Sequence, residues 1–160
     1  MLSADAVPNP RPGAGKFSVS LIMPTYNEAG NIAGLIQEAV CQVREFGVTG
    51  IEVIVADDDS PDLTWQIAAA TSVEGVAVRV LRRRENHGLT ASLNDAIAAA
   101  QNEVIVWLDC DFSQPPECIP QLLGKIREGY DVVVNSRYLP GGGRIVAVTA
   151  LGCICCSVAV

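Results

Sequence analysis

Short apolar runs alternate with longer segments of helical periodicity along most of this chain. The first run, Phe17–Met23, predicts a buried strand that ends at Pro24, because proline has no N–H to donate to a sheet. The next segment, IAGLIQEAVCQVREF, has apolar positions at the three- and four-residue spacing of an amphipathic helix. Four further strands are predicted in IEVIVADDDSPD, VAVRVLRRR, EVIVWLDCD and DVVVNSRY, with helices between them at about Leu63–Ala70 and in HGLTASLNDAIAAAQ and PPECIPQLLGKIREG.

This alternation of five strands with four helices predicts the fold class. The strands are apolar at consecutive positions, which is typical of strands buried on both faces of a mainly parallel sheet. Such a sheet covered by helices on both faces is a Rossmann-like α/β domain, expected here over residues 17–144. Residues 1–16 are polar and rich in proline and glycine, and we expect a disordered arm there. Residues 145–160 are apolar but shorter than the ~20 residues that cross a bilayer, so we expect the start of a truncated acceptor- or membrane-associated region.

Composition and charge narrow the classes of partner. With 160 residues, 49% of them hydrophobic, the chain can bury the core of one globular domain. The net charge of −7 argues against a nucleic-acid partner, because phosphate backbones attract clustered lysine and arginine. The one basic cluster, Arg82–Arg84, is expected to be a solvated strand end or loop. The six cysteines lack framework spacing and no secretory signal appears in residues 1–16, which favours reduced thiols acting as small hydrophobes.

Polar side chains follow the predicted strands at the point where each strand ends. In a parallel sheet these carboxyl ends meet at one edge, where α/β proteins bind ligands. The residues expected there are Pro24 to Glu28, Asp57 to Asp59, Asp109 to Asp111 and Ser136 to Tyr138. Asp109 and Asp111 come directly after a buried strand, and two carboxylates this close stay ionised only beside a positive charge. A Mg²⁺ or Mn²⁺ ion shared with a substrate diphosphate meets that requirement, so the pair predicts a metal-binding site.

Other phosphate-binding motifs do not fit this sequence. Neither G-x-G-x-x-G after the first strand nor G-x-x-x-x-G-K-[ST] occurs, so the dinucleotide and P-loop cradles are missing. Haloacid-dehalogenase-like phosphatases also place D-x-D after a hydrophobic strand, but usually after the first strand, whereas here it follows the fourth. Each polar strand end taken alone also fits a structural role, such as a helix cap at Asp57–Asp59. All four at one edge favour a functional site.

Four segments, in order, resemble the motifs of family-2 glycosyltransferases of the GT-A fold. They are VSLIMPTYNEAGNI, EVIVADDDSPDLT, LDCDFSQPP and NSRYLPGGG. The SPD after the acidic cluster, the QPP after D-x-D and the PGGG after SRY most resemble polyprenyl-phosphate mannosyltransferases, the dolichol-phosphate mannose synthase group. The resemblance covers about Phe17 to Arg144. Cys110 departs from it, because these enzymes carry a small residue such as Ala or Ser there, and Ser113 stands where many carry Gln.

The resemblance implies a role for each matching residue of the first two motifs. Pro24, Tyr26 and Glu28 would form the first nucleotide-binding loop, with the Tyr26 ring facing the base and the Glu28 carboxylate accepting from base or ribose. Val55 and Asp57 would form the second nucleotide-binding loop, in which the Asp57 carboxylate accepts a hydrogen bond from the base.

The later motifs would hold the diphosphate. Asp109 and Asp111 correspond to the metal ligands, with the Cys110 backbone beside the ribose and Ser113 in the same nucleotide-sugar site. Arg137 matches an arginine that contacts the diphosphate through a charge-assisted bond. The resemblance thus implies Asp111 and Arg137 as the catalytic residues.

The implied reaction is the inverting transfer of a sugar, with GDP-mannose as the expected donor and a polyprenyl (dolichyl) monophosphate as the acceptor. The acceptor phosphate is already anionic, so the reaction needs no strong general base and rests on positioning and on neutralising the leaving diphosphate. The implied location is the cytosolic face of a membrane. Two alternatives stay open: a family-2 transferase that uses UDP-glucose or another donor with a polyprenyl-phosphate or glycan acceptor, and a truncated non-catalytic nucleotide-binding domain.

Overall fold

A four-stranded parallel sheet forms the centre of the molecule. The computed structural model describes residues 16–135 and the backbone of residues 146–147. The strands are β1 (Ser18–Thr25), β2 (Gly50–Asp57), β3 (Ala77–Arg82) and β4 (Val104–Trp107). They lie in the order β3-β2-β1-β4, and all three neighbouring pairs are parallel. The predicted α/β class is therefore confirmed.

Helices cover both faces of this sheet. They are α1 (Ile32–Phe46), α2 (Thr64–Ala70), α3 (Leu89–Ala99) and α4 (Ile119–Arg127), with a 3₁₀ turn at Pro116–Cys118 before α4. On one face, strand residues such as Leu21 pack against α1, α2 and α4, and on the other, residues such as Ile22 pack against α3. Because neighbouring strand residues point to opposite faces, a sheet covered on both sides needs apolar residues at consecutive positions. The uninterrupted apolar runs have this cause.

β1 continues past its predicted end. It runs through Pro24 to Thr25, although the sequence predicts that it stops at the proline. The carbonyl of Ile22 faces β4 and accepts from Leu108 N, so the nitrogen of Pro24, two residues on, faces the same side. The pairing of β1 with β4 ends at Ile22 opposite Trp107. Pro24 therefore lies where no ladder hydrogen bond requires an N–H, and the strand tolerates it.

The fifth predicted strand does not join the parallel sheet. In the described part of DVVVNSRY, residues 131–135, the strand is the two-residue β5 (Val133–Val134), which pairs antiparallel with β6 (Val146–Ala147) in a separate two-stranded sheet. Val133 packs against Leu122 of α4. An apolar run predicts that a segment is buried, but it does not predict which other strand the segment will pair with. Within residues 16–135, no helix is long and apolar enough to cross a membrane.

Candidate active site

The carboxyl ends of the strands surround an open cavity of about 380 Å³. Three parts of the chain form its wall: the end of β1 with the loop after it, the segment after β2, and the loop from β3 into α3. The lining residues are Pro24, Thr25, Tyr26, Asp58, His87, Gly88, Leu89 and Ser92. The predicted clustering of polar strand ends at one edge of the sheet is therefore present for β1 and β2, and β3 adds a third segment that the sequence did not single out.

The loop after β1 is held by side chains of the SPDLT segment. Three consecutive backbone N–H groups of this loop donate to three side-chain oxygens of that segment. The pairs are Asn27 to Ser60 Oγ (3.0 Å), Glu28 to Thr64 Oγ1 (2.8 Å) and Ala29 to Asp62 Oδ2 (3.0 Å). The hydrogen bond from the Thr64 hydroxyl lowers the pKa of Asp62, which keeps this acceptor ionised. The SPD motif thus has a physical purpose here, which is to fix the loop that carries Tyr26.

Asp57 joins the ends of β1 and β2. Its side chain is fully buried, and Oδ2 accepts from Thr25 Oγ1 at 2.9 Å and from Ser60 Oγ at 2.6 Å. Its Oδ1 accepts from Ser60 N at 2.8 Å. The structure therefore gives Asp57 a positioning function: its bond to Ser60 N lies within the turn that the structural alternative for Asp57–Asp59 proposed, and its bond to Thr25 links that turn to β1. Contact between Asp57 and a base stays a prediction.

The other residues of the first two motifs differ in exposure. Tyr26 is 58% exposed and lines the cavity beside Pro24. The Glu28 carboxylate accepts from Asn31 Nδ2 at 2.8 Å, at the beginning of α1. The Val55 side chain is fully buried in the core between the sheet and α1, and the cavity wall does not include it.

The two aspartates of the D-x-D motif follow β4 and are held by the residues after them. Ser113 N donates to Asp111 Oδ1 at 2.8 Å, and Gln114 Nε2 donates to Asp109 Oδ2 at 3.3 Å. Asp109 is half-buried and Asp111 is exposed. Burial raises the pKa of Asp109, and the negative charge of Asp111 raises it further. The pair is thus arranged as repelling carboxylates, which a cation would stabilise.

The surroundings of Cys110 show how negative this part of the edge is. The thiol is buried, and burial raises its pKa strongly; Glu28, Asp109, Asp111 and Asp57 raise it further through their charges. Within residues 16–135, no three His, Cys, Asp or Glu side chains converge to hold a metal ion by themselves. Two carboxylates in a negative field suit a hard divalent cation that takes its remaining oxygen ligands from water and a bound diphosphate. The donor set therefore fits the predicted metal.

Arg83 corrects the expectation that Arg82–Arg84 is a solvated cluster. Arg83 is only 7% exposed, and its guanidinium bonds to the carboxylate of Asp58 below the cavity wall. Its Nε also donates to Asp95 Oδ2 on α3 at 2.7 Å. Arg83 lies two residues after Leu81, which packs on the α3 face, so the period-two alternation of β3 places Arg83 on that face; the sequence carries the alternation but not the position of α3.

The same ion pair anchors the loop between β3 and α3. Arg83 Nη2 donates to the backbone oxygen of Asn86 at 2.5 Å, and Gly88 N donates to Asp58 Oδ2 at 2.6 Å. Asn86 and Gly88 both have positive φ, 53° and 127°, which turns the chain sharply on either side of His87. Sequence reasoning missed this loop, because none of its residues belongs to a recognised motif.

Arg137, the remaining predicted site residue, lies outside the described residues together with Ser136 and Tyr138. Its contact with a diphosphate stays a prediction.

Comparison with known proteins identifies a family and several proteins that this chain resembles. Residues 20–150, which include the whole cavity wall, match the sequence model of glycosyl transferase family 2. The dolichol-phosphate mannosyltransferase of Pyrococcus furiosus is 38% identical over 126 residues, 79% of this chain and 35% of that protein. An undecaprenyl-phosphate 4-deoxy-4-formamido-L-arabinose transferase of Pseudomonas paraeruginosa is 31% identical over 120 residues, 74% of this chain and 35% of that protein. A mannosyltransferase of Pyrobaculum calidifontis, solved with GDP-Man and Mn²⁺, superposes with a TM-score of 0.60 at 25% identity, covering 75% of this chain and 35% of that one.

Proposed function

The chain belongs to glycosyl transferase family 2, and we propose that it binds a nucleoside-diphosphate sugar at the carboxyl edge of its sheet for transfer to a polyprenyl monophosphate. The observation that carries the proposal is the D-x-D pair: Asp109, whose pKa is raised by burial and by Asp111, stands at the same edge as the cavity. Two similar proteins are named for polyprenyl-phosphate acceptors and differ in the sugar they transfer. The chain spans 35% of the length of each.

We propose GDP-mannose as the donor. Support comes from the Pyrococcus furiosus relative, named for mannose transfer, and from the Pyrobaculum calidifontis structure, which holds GDP-Man and Mn²⁺. In this chain the base would enter the cavity against the exposed Tyr26 ring, while the SPDLT segment keeps the Tyr26 loop in place. An aromatic face suits stacking with a planar base.

Two carboxylates of the chain would hold the donor's diphosphate through a divalent cation, and the acceptor phosphate would need no deprotonation. Asp109 and Asp111 would bind the cation, Mg²⁺ or Mn²⁺, and Ser113 and Gln114 keep the two carboxylates oriented. When bound there, such a cation neutralises charge on a leaving diphosphate. The acceptor is a phosphate monoester that is already anionic, so the site needs to align it and need not remove a proton. The polyprenyl chain of this acceptor resides in a bilayer, and we propose that the protein works at the cytosolic face of a membrane.

Calorimetry with nucleoside diphosphates tests the proposal. GDP, UDP and ADP are titrated into the chain with and without Mn²⁺, and into the variants Asp109→Asn and Asp111→Asn. Glu74→Gln is the matched control, because Glu74 is exposed and precedes β3 at the opposite edge of the sheet. We expect metal-dependent binding that is tightest for GDP and unchanged in the control. In both aspartate variants the affinity should fall at least ~10-fold, because a contact to a charged group is worth ~1.5–3 kcal/mol. Equal, metal-independent affinity in all four proteins would contradict the proposal, and a preference for UDP would move the donor to the glucosyl alternative.

Transfer itself is measured with radiolabelled GDP-mannose and a short polyprenyl phosphate. We expect any lipid-linked product to depend on both Asp109 and Asp111. Product formed equally well by Asp109→Asn would show that the motif does not serve the reaction.

A further inference from the structure

His87, the only histidine in the chain, lines the cavity, and the proposed function gives it no task. We propose that His87 is a contact for the nucleobase of the donor, with its Nδ1 accepting a hydrogen bond from a base N–H. This inference rests on the proposed function, because it assigns a residue to the same nucleotide site. Neither the matched motifs nor the D-x-D chemistry involves this residue.

The backbone on both sides of His87 is fixed. Arg83 holds the carbonyl of Asn86, and Asp58 holds the N–H of Gly88, so the residues before and after His87 are each tied to one buried ion pair. Arg83 and Asp58 are 7% and 8% exposed. The imidazole therefore projects from a pre-organised turn, and placing it against a ligand costs little conformational entropy.

The hydrogen bond of the ring determines its tautomer. His87 Nε2 lies 3.0 Å from the backbone oxygen of Arg83. A carbonyl oxygen only accepts, so Nε2 must carry the hydrogen and donate it. In the neutral ring the other nitrogen, Nδ1, is then an acceptor. Nδ1 makes no hydrogen bond to any residue within 16–135.

Three other polar side chains of the cavity wall already have hydrogen-bond partners within the protein. Thr25 Oγ1 donates to Asp57, Asp58 accepts from Arg83 and from Gly88, and Ser92 Oγ lies 3.1 Å from Asp58 Oδ1. His87 Nδ1 is thus, with the exposed Tyr26 hydroxyl, an acceptor that this wall leaves for a ligand.

The apolar part of the wall selects the class of ligand. Tyr26 and Leu89 are 58% and 52% exposed, so both offer apolar surface to the cavity. A ligand that matches this wall needs a flat apolar face together with an N–H donor at its edge. A nucleobase such as guanine or uracil has both features, whereas a phosphate group has neither. The geometry therefore assigns His87 to the base end of the donor and not to the diphosphate end.

Nuclear magnetic resonance of the ring nitrogens tests the contact directly. Because the chain has one histidine, ¹⁵N-histidine labelling gives a single pair of ring signals, and Mg²⁺ is used because it is diamagnetic. At a pH where the ring is neutral, we expect the free protein to show the Nε2–H tautomer. Adding Mg²⁺ with GDP should shift the Nδ1 signal, whereas Mg²⁺ with inorganic pyrophosphate, which lacks a base, should leave it in place.

Affinity measurements separate His87 from the metal motif. His87→Ala should weaken GDP binding ~3- to 10-fold, the effect of losing one hydrogen bond to a neutral partner, and should leave pyrophosphate binding unchanged. His87→Asn retains a side-chain acceptor and should recover part of the loss. Glu85→Gln, an exposed change in the same loop but outside the cavity wall, is the control and should match the wild type.

Two results would overturn the inference. One is an unmoved Nδ1 signal together with wild-type GDP affinity in His87→Ala; the other is an equal loss of pyrophosphate affinity, which would make His87 a phosphate contact. If instead neither GDP nor pyrophosphate binding depends on Asp109, the proposed function itself fails. His87 is exposed, so its replacement should not unfold the chain, and the resonance test uses the unsubstituted protein in any case.

Discussion

Replacing Arg83 with methionine removes a buried cation from below the cavity, whereas the same change at Arg82 removes a half-exposed one. The side chains of Arg83 and Asp58 are 5% and 10% exposed, while those of Arg82 and Asp59 are both 33% exposed. The two arginines are neighbours and each pairs with an aspartate, but Arg83 is more buried and also bonds to Asp95 and to the backbone oxygen of Asn86. The comparison therefore contrasts a buried and a half-exposed arginine, and a double variant with Asp58→Asn separates the cost of leaving the Asp58 carboxylate without its cation.

The expected magnitudes differ severalfold. Removing one partner of a buried ion pair costs ~3–5 kcal/mol, because the remaining charge is uncompensated. Asp58 keeps two donors, Ser92 Oγ and Gly88 N, so we expect Arg83→Met to cost about 3 kcal/mol, the lower end of that range. An exposed pair contributes ~0–1 kcal/mol, and the stacking of Arg82 3.9 Å from the Trp65 ring centre adds ~0.5–1 kcal/mol. Arg82→Met should therefore cost about 1 kcal/mol.

Urea unfolding followed by circular dichroism measures both losses. A domain of this kind has an unfolding free energy of ~5–15 kcal/mol, so a loss of about 3 kcal/mol should leave Arg83→Met folded. The double variant Arg83→Met with Asp58→Asn should be more stable than Arg83→Met, because the unpaired charge is gone. Equal losses at the two arginines, or a double variant less stable than Arg83→Met, would refute the reasoning that Asp58 depends on Arg83 for its charge.

Two further predictions concern the D-x-D motif and α1. The pKa of Asp109 is raised above its ordinary value of 3.8, first by burial and then by Asp111, so its contribution to stability is full below that value and is lost as the pH rises through the raised pKa. Asp109→Asn should therefore stabilise the metal-free chain by about 0.5 kcal/mol at neutral pH, with a difference that vanishes in acid, and urea titrations across the pH range would contradict this if the difference stayed constant. Gly34→Ala in α1 should raise the free energy of unfolding by ~0.5–1 kcal/mol, because alanine favours a helix interior more than glycine does. There is room for the new Cβ, which would lie 3.9 Å from the Phe112 ring, an ordinary contact. Gly47→Ala should cost ~1 kcal/mol at its φ of +83°, and thermal melts that show the same sign for both glycines would contradict the backbone argument.

Local patterns were sufficient to predict most elements of this fold. α1 begins and ends at the residues that its periodicity indicates, because an amphipathic stripe of that length leaves no other regular structure that buries its apolar side chains. The apolar runs identified β1 to β4, and the position of Asp109 and Asp111 after β4 followed from where that run stops. Prediction succeeded where one short segment contains the whole physical cause.

No single segment determined which strand or side chain a residue would contact. DVVVNSRY carries the apolar signal of a strand, yet Val133 and Val134 pair with β6 in a separate sheet, and Val133 packs against Leu122 of α4. Arg83 looked like part of a solvated cluster until the fold placed α3, with Ser92 and Asp95, against it. His87 has no motif around it, and its place in the cavity follows from a turn that a buried ion pair holds. Burial and contact depend on residues distant in the chain, so for these groups the tertiary arrangement settles which chemistry each side chain can perform.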